Sequence, residues 1–372
     1  MGIARTSLKG VTHYIQSNAY NGYTLFTPLG STETVLIDMQ GRVVHQWKMP
    51  YPPGLYGILL ENGNFLYGGH VEKGLLPDLR GAGGELIEVD WDGNLAWNYK
   101  DPYLHHSFCR LSNGNTMVLR WVEVPKDISA KIEGGMAGTE KDRIMWGDSF
   151  REVNPRGKVV WEWLAYEHLD PEIDTICPLC PRSQWTEANS FAILSNGDIL
   201  ASFARLNTIC IISKATGDIK WRWGSGGELG HQNHATVLEN GNILLFDNGT
   251  HCIHFSQGYS RVLEIDPATN KMVWEYKDDP WMAFYSAYMS SCQRLPNENT
   301  LICEAATGRI FEVTKTGRIV WEFVNPFSST FDPVYGHNHI IPKAYRYGPE
   351  YGGLKAKNLE YSVYLIERGR FA

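Results

Sequence analysis

The heptapeptide Gly157-Lys-Val-Val-Trp-Glu-Trp163 has five counterparts along the chain. They are Gly41-Arg-Val-Val-His-Gln-Trp47, Gly93-Asn-Leu-Ala-Trp-Asn-Tyr99, Gly217-Asp-Ile-Lys-Trp-Arg-Trp223, Asn270-Lys-Met-Val-Trp-Glu-Tyr276 and Gly317-Arg-Ile-Val-Trp-Glu-Phe323. Each follows an alternating stretch such as Leu86-Ile-Glu-Val-Asp90 or Val262-Leu-Glu-Ile-Asp266. Period-two alternation interrupted by a turn ending in glycine marks a β-hairpin. A second motif, Leu-x-Asn-Gly-Asn or a close variant, recurs at Leu60, Leu111, Leu194, Leu238 and Leu295, with a degenerate sixth copy at Ile340-Ile-Pro342. Four strands repeated six times predict an all-β fold, a six-bladed β-propeller with four-stranded blades.

The first repeat starts at its second strand, Gly22-Tyr-Thr-Leu-Phe26, and its inner strand is expected around His337 to Pro342. The closing blade is therefore shared by the N- and C-terminal segments, which protects the sheet edges without a disulfide. Residues 1–372 read as a single propeller domain with insertions at 122–150 and 164–186.

Composition agrees with this reading. The 372 residues include 13 Trp and 19 Tyr, side chains that suit pleated surfaces, and 43% are hydrophobic, enough for a large core. A net charge of −7 supplies no pull toward phosphate backbones, so nucleic acid is excluded as a partner. No stretch has the length and apolarity to cross a membrane as a helix. The opening Met1-Gly-Ile-Ala-Arg-Thr6 lacks the apolar core of a signal peptide, so a cytoplasmic location is expected, or a periplasmic one if a leader has been removed. Seven cysteines lie mainly in apolar strands, as reduced core thiols do. Cys177 and Cys180 form a CxxC flanked by Pro178 and Pro181; without a second Cys or His pair nearby in sequence it reads as a stiffened loop.

In a propeller the residues entering the innermost strands carry function. Here they are Leu55-Tyr56, His105-His106, Glu187-Ala-Asn189, Gln232-Asn-His234, Met289-Ser-Ser291 and His337-Asn-His339. A second ring, one turn later, holds His70, Arg120, Arg205, Asp247 and Glu304. Six of the 12 histidines fall in these rings. Such side chains could hydrogen-bond the backbone of the inner strands, bind a small oxyanion, or hold a metal.

The ordered motifs resemble the arylsulfotransferase family of six-bladed propellers. Asn21-Gly-Tyr-Thr-Leu-Phe26 followed by Leu36-Ile-Asp-Met-Gln-Gly-Arg-Val-Val-His-Gln-Trp47 is similar to the family's opening blade. Trp185-Thr-Glu-Ala-Asn-Ser190 with Arg205 resembles its Trp-x-His-x-Asn-Ser segment and following arginine. Asn233-His234, Leu244-Leu-Phe-Asp-Asn-Gly249 and Tyr259-Ser-Arg261 resemble its later signature. The resemblance implies sulfuryl transfer from an aryl sulfate to a phenol without a cofactor. His234 would become sulfated, Arg205 and Asn189 would hold the sulfuryl oxygens, and His105 or His106 would move the proton. His70, Arg120, His337, His339 and Tyr56 would complete substrate binding. Glu187 departs from the pattern by replacing a histidine; a carboxylate there would repel a sulfate ester and favour the protonated form of a neighbouring imidazole.

Two other readings keep the fold. His70, His106, His234, His337, His339 and Glu187 could ligate a divalent metal for a lyase, isomerase or hydrolase. Alternatively the ring could bind a ligand without catalysis. The partner in each case is a small molecule, an aryl sulfate or another small anion, and the insertions, with Met136, Met145, Trp146 and the CxxC, could lid a channel or contact a second copy in a homo-oligomer.

Overall fold

The computed structural model describes residues 8–71, 79, 81–140, 143–252, 258–327, 336, 338–361 and 363–364. Among them, six antiparallel sheets of four or five strands form the blades of a six-bladed β-propeller. Blade one comprises Tyr23–Phe26, Glu33–Ile37 and Arg42–Lys48 with Ala344–Tyr347, and blade two Pro53–Leu59, Phe65–His70, Gly84–Val89 and Leu95–Lys100. Blade three is Leu104–Arg110, Thr116–Glu123, Trp146–Val153 and Val159–Leu164; blade four is Ala188–Ile193, Ile199–Phe203, Thr208–Ile212 and Ile219–Trp223. Blade five is Asn233–Val237, Ile243–Asp247, Arg261–Asp266 and Lys271–Tyr276, and blade six Ser291–Arg294, Thr300–Glu304, Arg309–Val313 and Ile319–Val324. The chain packs as two compact units, one with blades one, two and six and one with blades three, four and five plus Gly81 and Ala82. No described helix is long and apolar enough to cross a membrane.

Both sequence motifs act as blade hardware. In the Leu-x-Asn-Gly turns, Leu60 N–H donates to Asn64 O and Gly63 N–H to Leu60 O, at 2.8 and 2.9 Å, and the pattern repeats at Leu111, Leu194, Leu238 and Leu295. Gly63 stands at φ +85°, the left-handed conformation the turn requires, and in the variant at Leu295 the same place is held by Glu298 at φ +68°. The outer-strand tryptophans bridge blades. Trp47 donates its indole N–H to Asp90 O at 3.1 Å, Trp163 to Gly217 O at 2.9 Å and Trp321 to Met39 O at 2.9 Å. Each buries a large ring, contributing roughly 2–3 kcal/mol, while satisfying its only polar atom on the neighbouring blade.

The closing blade is shared by the two ends of the chain, as the repeat count requires, but its inner strand lies at Ala344–Tyr347, later than expected. The expected stretch is tied up elsewhere: Ile340 N–H bonds Asn338 Oδ1, Ile340 O accepts from Leu29 N–H, and Pro342 has no N–H to give. Residue His337 lies outside the described residues. Two blades exceed the expected four strands. Gly10–Tyr14 adds to the outer edge of blade six and Val363–Tyr364 to that of blade one.

The insertions at 122–150 and 164–186 are ordered against each other. Gly134–Met136 pairs in parallel with Ile176–Pro181, so the CxxC belongs to a strand and the expectation of a loop is corrected. At Gly134, with φ +80°, an added Cβ would meet Ile176 O at 2.1 Å, so only glycine permits this approach. Trp146, counted with the first insertion, opens the third strand of blade three, which therefore starts earlier than the insertion boundary allowed.

Candidate active site

The inner strands of blades three, four and five pack side by side, Ala188–Ile193 lying between Leu104–Arg110 and Asn233–Val237. Each pairs irregularly with its second strand, the register breaking between Val118 and Leu119, Ala188 and Ser190, and Asn233 and Thr236. At or beside these breaks stand His106, Glu187 and His234, with φ of +44°, +48° and +52°. Non-glycine residues seldom hold such dihedrals, at a cost of about 1–3 kcal/mol each, and bulges of this kind re-aim side chains.

A continuous polar chain links the three strands. Asp148 and His105 are wholly buried, with Asp148 Oδ1 3.0 Å from His105 Nε2 though off the line of a straight hydrogen bond. His105 Nδ1 meets His106 Nδ1 at 3.0 Å, and the His105 ring stacks on Trp121 at 3.8 Å. The other Asp148 oxygen accepts from the Thr186 hydroxyl and, at 2.6 Å, from Ala188 N–H, so one carboxylate brackets Glu187. On the far side, Asn189 Nδ2 donates to Gln232 O at 2.7 Å and Ala235 N–H to Ser190 Oγ at 3.0 Å, which fixes the backbone on both sides of His234. Gln232 spends its amide on Ser202 Oγ, Phe203 O and Thr208 O. Gly81 gives His106 its place: His106 N–H donates to Gly81 O at 2.9 Å, and a Cβ on Gly81 would lie 2.4 Å from the His106 ring.

Arg205 is buried with its guanidinium spread over three partners: Nε donates to Glu187 Oε2 and Nη1 to Pro181 O, both at 2.6 Å, and Nη2 to Gln184 Oε1 at 2.7 Å. The carboxylate that replaces a histidine in the family pattern thus neutralises the arginine, and its expected repulsion of a sulfate is offset by that pairing. These three bonds use three of the five guanidinium N–H groups, leaving one on each terminal nitrogen.

The signature around Phe246 supports the loop before His234. Asp247 Oδ1 accepts from Gly230 N–H at 2.9 Å while its other oxygen takes Arg261 Nε at 2.8 Å. Burial raises the Asp247 carboxyl above the ordinary range, and the Arg261 charge opposes that rise.

The remaining sequence candidates make other contacts. Arg120 directs its guanidinium toward Glu162 of the outermost strand of blade three, 3.7 Å away. Tyr56, His70 and His339 belong to the other unit. There Tyr56 lies under the Lys343 ammonium at 4.2 Å, and His339 Nδ1 contacts Phe327 O at 2.5 Å. Of the proposed metal set, His106, His234 and Glu187 share a unit but do not gather their ligand atoms into one cluster among the described residues.

The cluster that does gather is one the sequence reading set aside: Cys177, Cys180, His231 and His251, with one donor atom from each within 4.8 Å of the others. The two cysteine side chains are buried, His231 is half-buried and His251 exposed. The Cys177 thiol is held well below the ordinary range by the hydrogen bond from Cys180 and by His231, while Cys180 is pushed up. Cys210, Cys292 and Cys303, by contrast, are core thiols raised by burial. Asp148 was also missed, because it sits in the stretch counted as an insertion; its neighbours in space come from residues 105 and 186–188.

Among solved structures, the chain is similar to a protein of unknown function from Bacteroides caccae, with 13% identity over 87% of this chain and 98% of that one and a TM-score of 0.54. A catalytically inactive virginiamycin B lyase from Staphylococcus aureus, solved with quinupristin, matches at 10% identity over 84% and 87% of the two chains, with a TM-score of 0.47. The first of these likenesses bears on the fold alone. No curated protein matches the sequence. The model of the arylsulfotransferase (ASST) family matches residues 78–326, about two thirds of the chain and the whole of blades three to five. The protein belongs to the arylsulfotransferase family.

Proposed function

We propose that the protein transfers a sulfuryl group from an aryl sulfate to a phenolic acceptor through a sulfated His234. The observation that carries this reading is the chain of polar contacts from His106 through His105, Asp148 and residues 186–190 to Gln232 and Ala235, all within the matched region.

In the first half-reaction a ring nitrogen of neutral His234 attacks sulfur. The N–S bond forms as the aryl O–S bond breaks, and the departing phenolate takes a proton from His106. In the second half, His106 recovers a proton from the acceptor phenol, whose oxygen attacks sulfur and releases His234. The His105 contact with Asp148 supports charge on the imidazole pair during each transfer. Arg205 presents its two remaining N–H groups to the sulfuryl oxygens, with Glu187, Pro181 and Gln184 fixing its plane. Asn189 positions His234 through its hydrogen bond to Gln232 O.

Steady-state turnover of p-nitrophenyl sulfate with a second phenol tests the reading. Parallel double-reciprocal lines, and loss of turnover in His234→Ala, are expected. Turnover retained by His234→Ala would contradict it.

A further inference from the structure

Cys177 and Cys180 approach His231 and His251 from a different part of the chain. Cys180 Sγ lies 3.4 Å from His231 Nε2, and His251 Nδ1 lies 3.6 Å from both sulfurs. A tetrahedral zinc ion bonded to sulfur at about 2.3 Å and to nitrogen at about 2.0–2.1 Å sets its S···N edges at about 3.6 Å. The three S···N separations match those edges. The imidazoles stand nearly perpendicular, at 82°, with ring centroids 4.8 Å apart, so neither blocks the other's lone pair. We propose that Cys177, Cys180, His231 and His251 form a structural zinc site, none of whose four ligands takes part in the proposed sulfuryl transfer.

Two thiolates and two imidazoles favour zinc among common divalent ions, and four protein ligands close the coordination sphere, leaving no position for substrate. Binding forms two Zn–S and two Zn–N bonds, releases the thiol protons to solvent and leaves a neutral centre, since two thiolate charges cancel the ion's. The exposed His251 is the side from which the ion enters.

The surroundings are built for the ligands. Gly134 permits the parallel pairing that positions the cysteine strand. The turn at Ala204–Leu206 and Asn207 reaches both arms: Arg205 donates to Pro181 O next to Cys180, and Asn207 Oδ1 accepts from His231 N–H at 2.9 Å. His231 and His251 hold φ of +55° and +58°, strain of the kind that a bond to a metal offsets. A zinc ion there would join the second insertion to the loop before the inner strand of blade five and the loop after its second strand.

The experiment uses the full chain, purified under reducing conditions without chelator. Elemental analysis should find about one zinc per chain in the wild type, and less than about a tenth of that in Cys177→Ser and Cys180→Ser. His251→Ala, an exposed substitution that spares the core, should bind zinc at least about tenfold more weakly. Apoprotein titrated with cobalt(II) should develop the intense visible absorption of a tetrahedral thiolate site, and chelation should lower the melting temperature of the wild type but not of Cys177→Ser. The proposal is overturned if the reduced wild type binds neither zinc nor cobalt, if a Cys177–Cys180 disulfide persists under reduction in its place, or if metal content is unchanged in Cys177→Ser and His251→Ala.

Discussion

Glu187 Oε2 sits 2.6 Å from Arg205 Nε, so the carboxylate at the position where the motif resemblance expects a histidine is the partner of the arginine proposed to hold the sulfuryl group. The sequence pattern sets the two residues in opposition, Glu187 repelling a sulfate ester that Arg205 would hold. Their side chains are 13% and 6% exposed, and the pair is worth most when neither member is removed singly.

Glu187→Gln should therefore lower stability, by roughly 1–3 kcal/mol in denaturant unfolding, because it strands a mostly buried guanidinium. Restoring the family histidine with Glu187→His should likewise fail to raise turnover, since it removes the same partner. Arg205→Lys, a point charge unable to reach Glu187, Pro181 and Gln184 together, should cut kcat/KM at least about tenfold. Wild-type stability in Glu187→Gln would count against the pair.

Asp148→Asn replaces an acceptor-only carboxylate with an amide beside Thr186, Ala188 and His105. Turnover should fall by about 10²–10⁴-fold, with the loss in kcat, as for removal of an orienting group in an acid–base pair. The companion variant Gly81→Ala, whose Cβ would displace the His106 ring, should reduce kcat while leaving the fold intact by circular dichroism.

Chain closure rests on a buried charge. Arg346, in the inner strand of blade one, pairs with Glu312 of blade six, and Glu312 also accepts from Tyr20 N–H at 2.7 Å and Asn299 Nδ2 at 2.6 Å. Burial pulls the Arg346 pKa down to about 10. A chain ending at Phe327 loses that partner and the strand that covers Tyr23–Phe26, and should aggregate; a soluble product with cooperative thermal unfolding would refute this role.

Much of the fold was legible because its signals are local. The Asn-Gly turns and the repeated tryptophans each report their own neighbourhood, and both do in the structure what their chemistry requires. The shared closing blade followed from counting repeats, but its register did not, since Asn338 and Leu29 divert the backbone at Ile340. The outer strands at Gly10–Tyr14 and Val363–Tyr364 carry no turn signal to tie them to blades six and one. The site was legible only as a set of strand-entry residues. Which of them cooperate depended on contacts such as Asp148 with His105 and Cys180 with His231, separated by 43 and 51 residues.

Lys343 gives a pH dependence with a definite sign. Burial lowers its pKa to about 7, against an unfolded value of 10.5, although its contact with the Tyr56 ring favours the charge. Between about pH 7 and 10.5 the unfolded chain holds a proton that the native one lacks, so this residue's contribution makes stability rise with pH across that window. Lys343→Met should be more stable than wild type near pH 6.5, by roughly 1–3 kcal/mol, with the advantage shrinking toward pH 10. An advantage independent of pH would rule out the titration of Lys343 as its source.

The most direct test of sulfuryl transfer is covalent capture. The protein is mixed with p-nitrophenyl sulfate and no acceptor, and the digest is read by mass spectrometry under conditions that preserve N–S bonds. One equivalent of phenol should be released per active chain, and the sulfuryl group should reside on the peptide containing His234, absent in His234→Ala. Phenol release with no sulfated His234, or no release between about pH 6 and 9, the range around the imidazole pKa, would contradict the account.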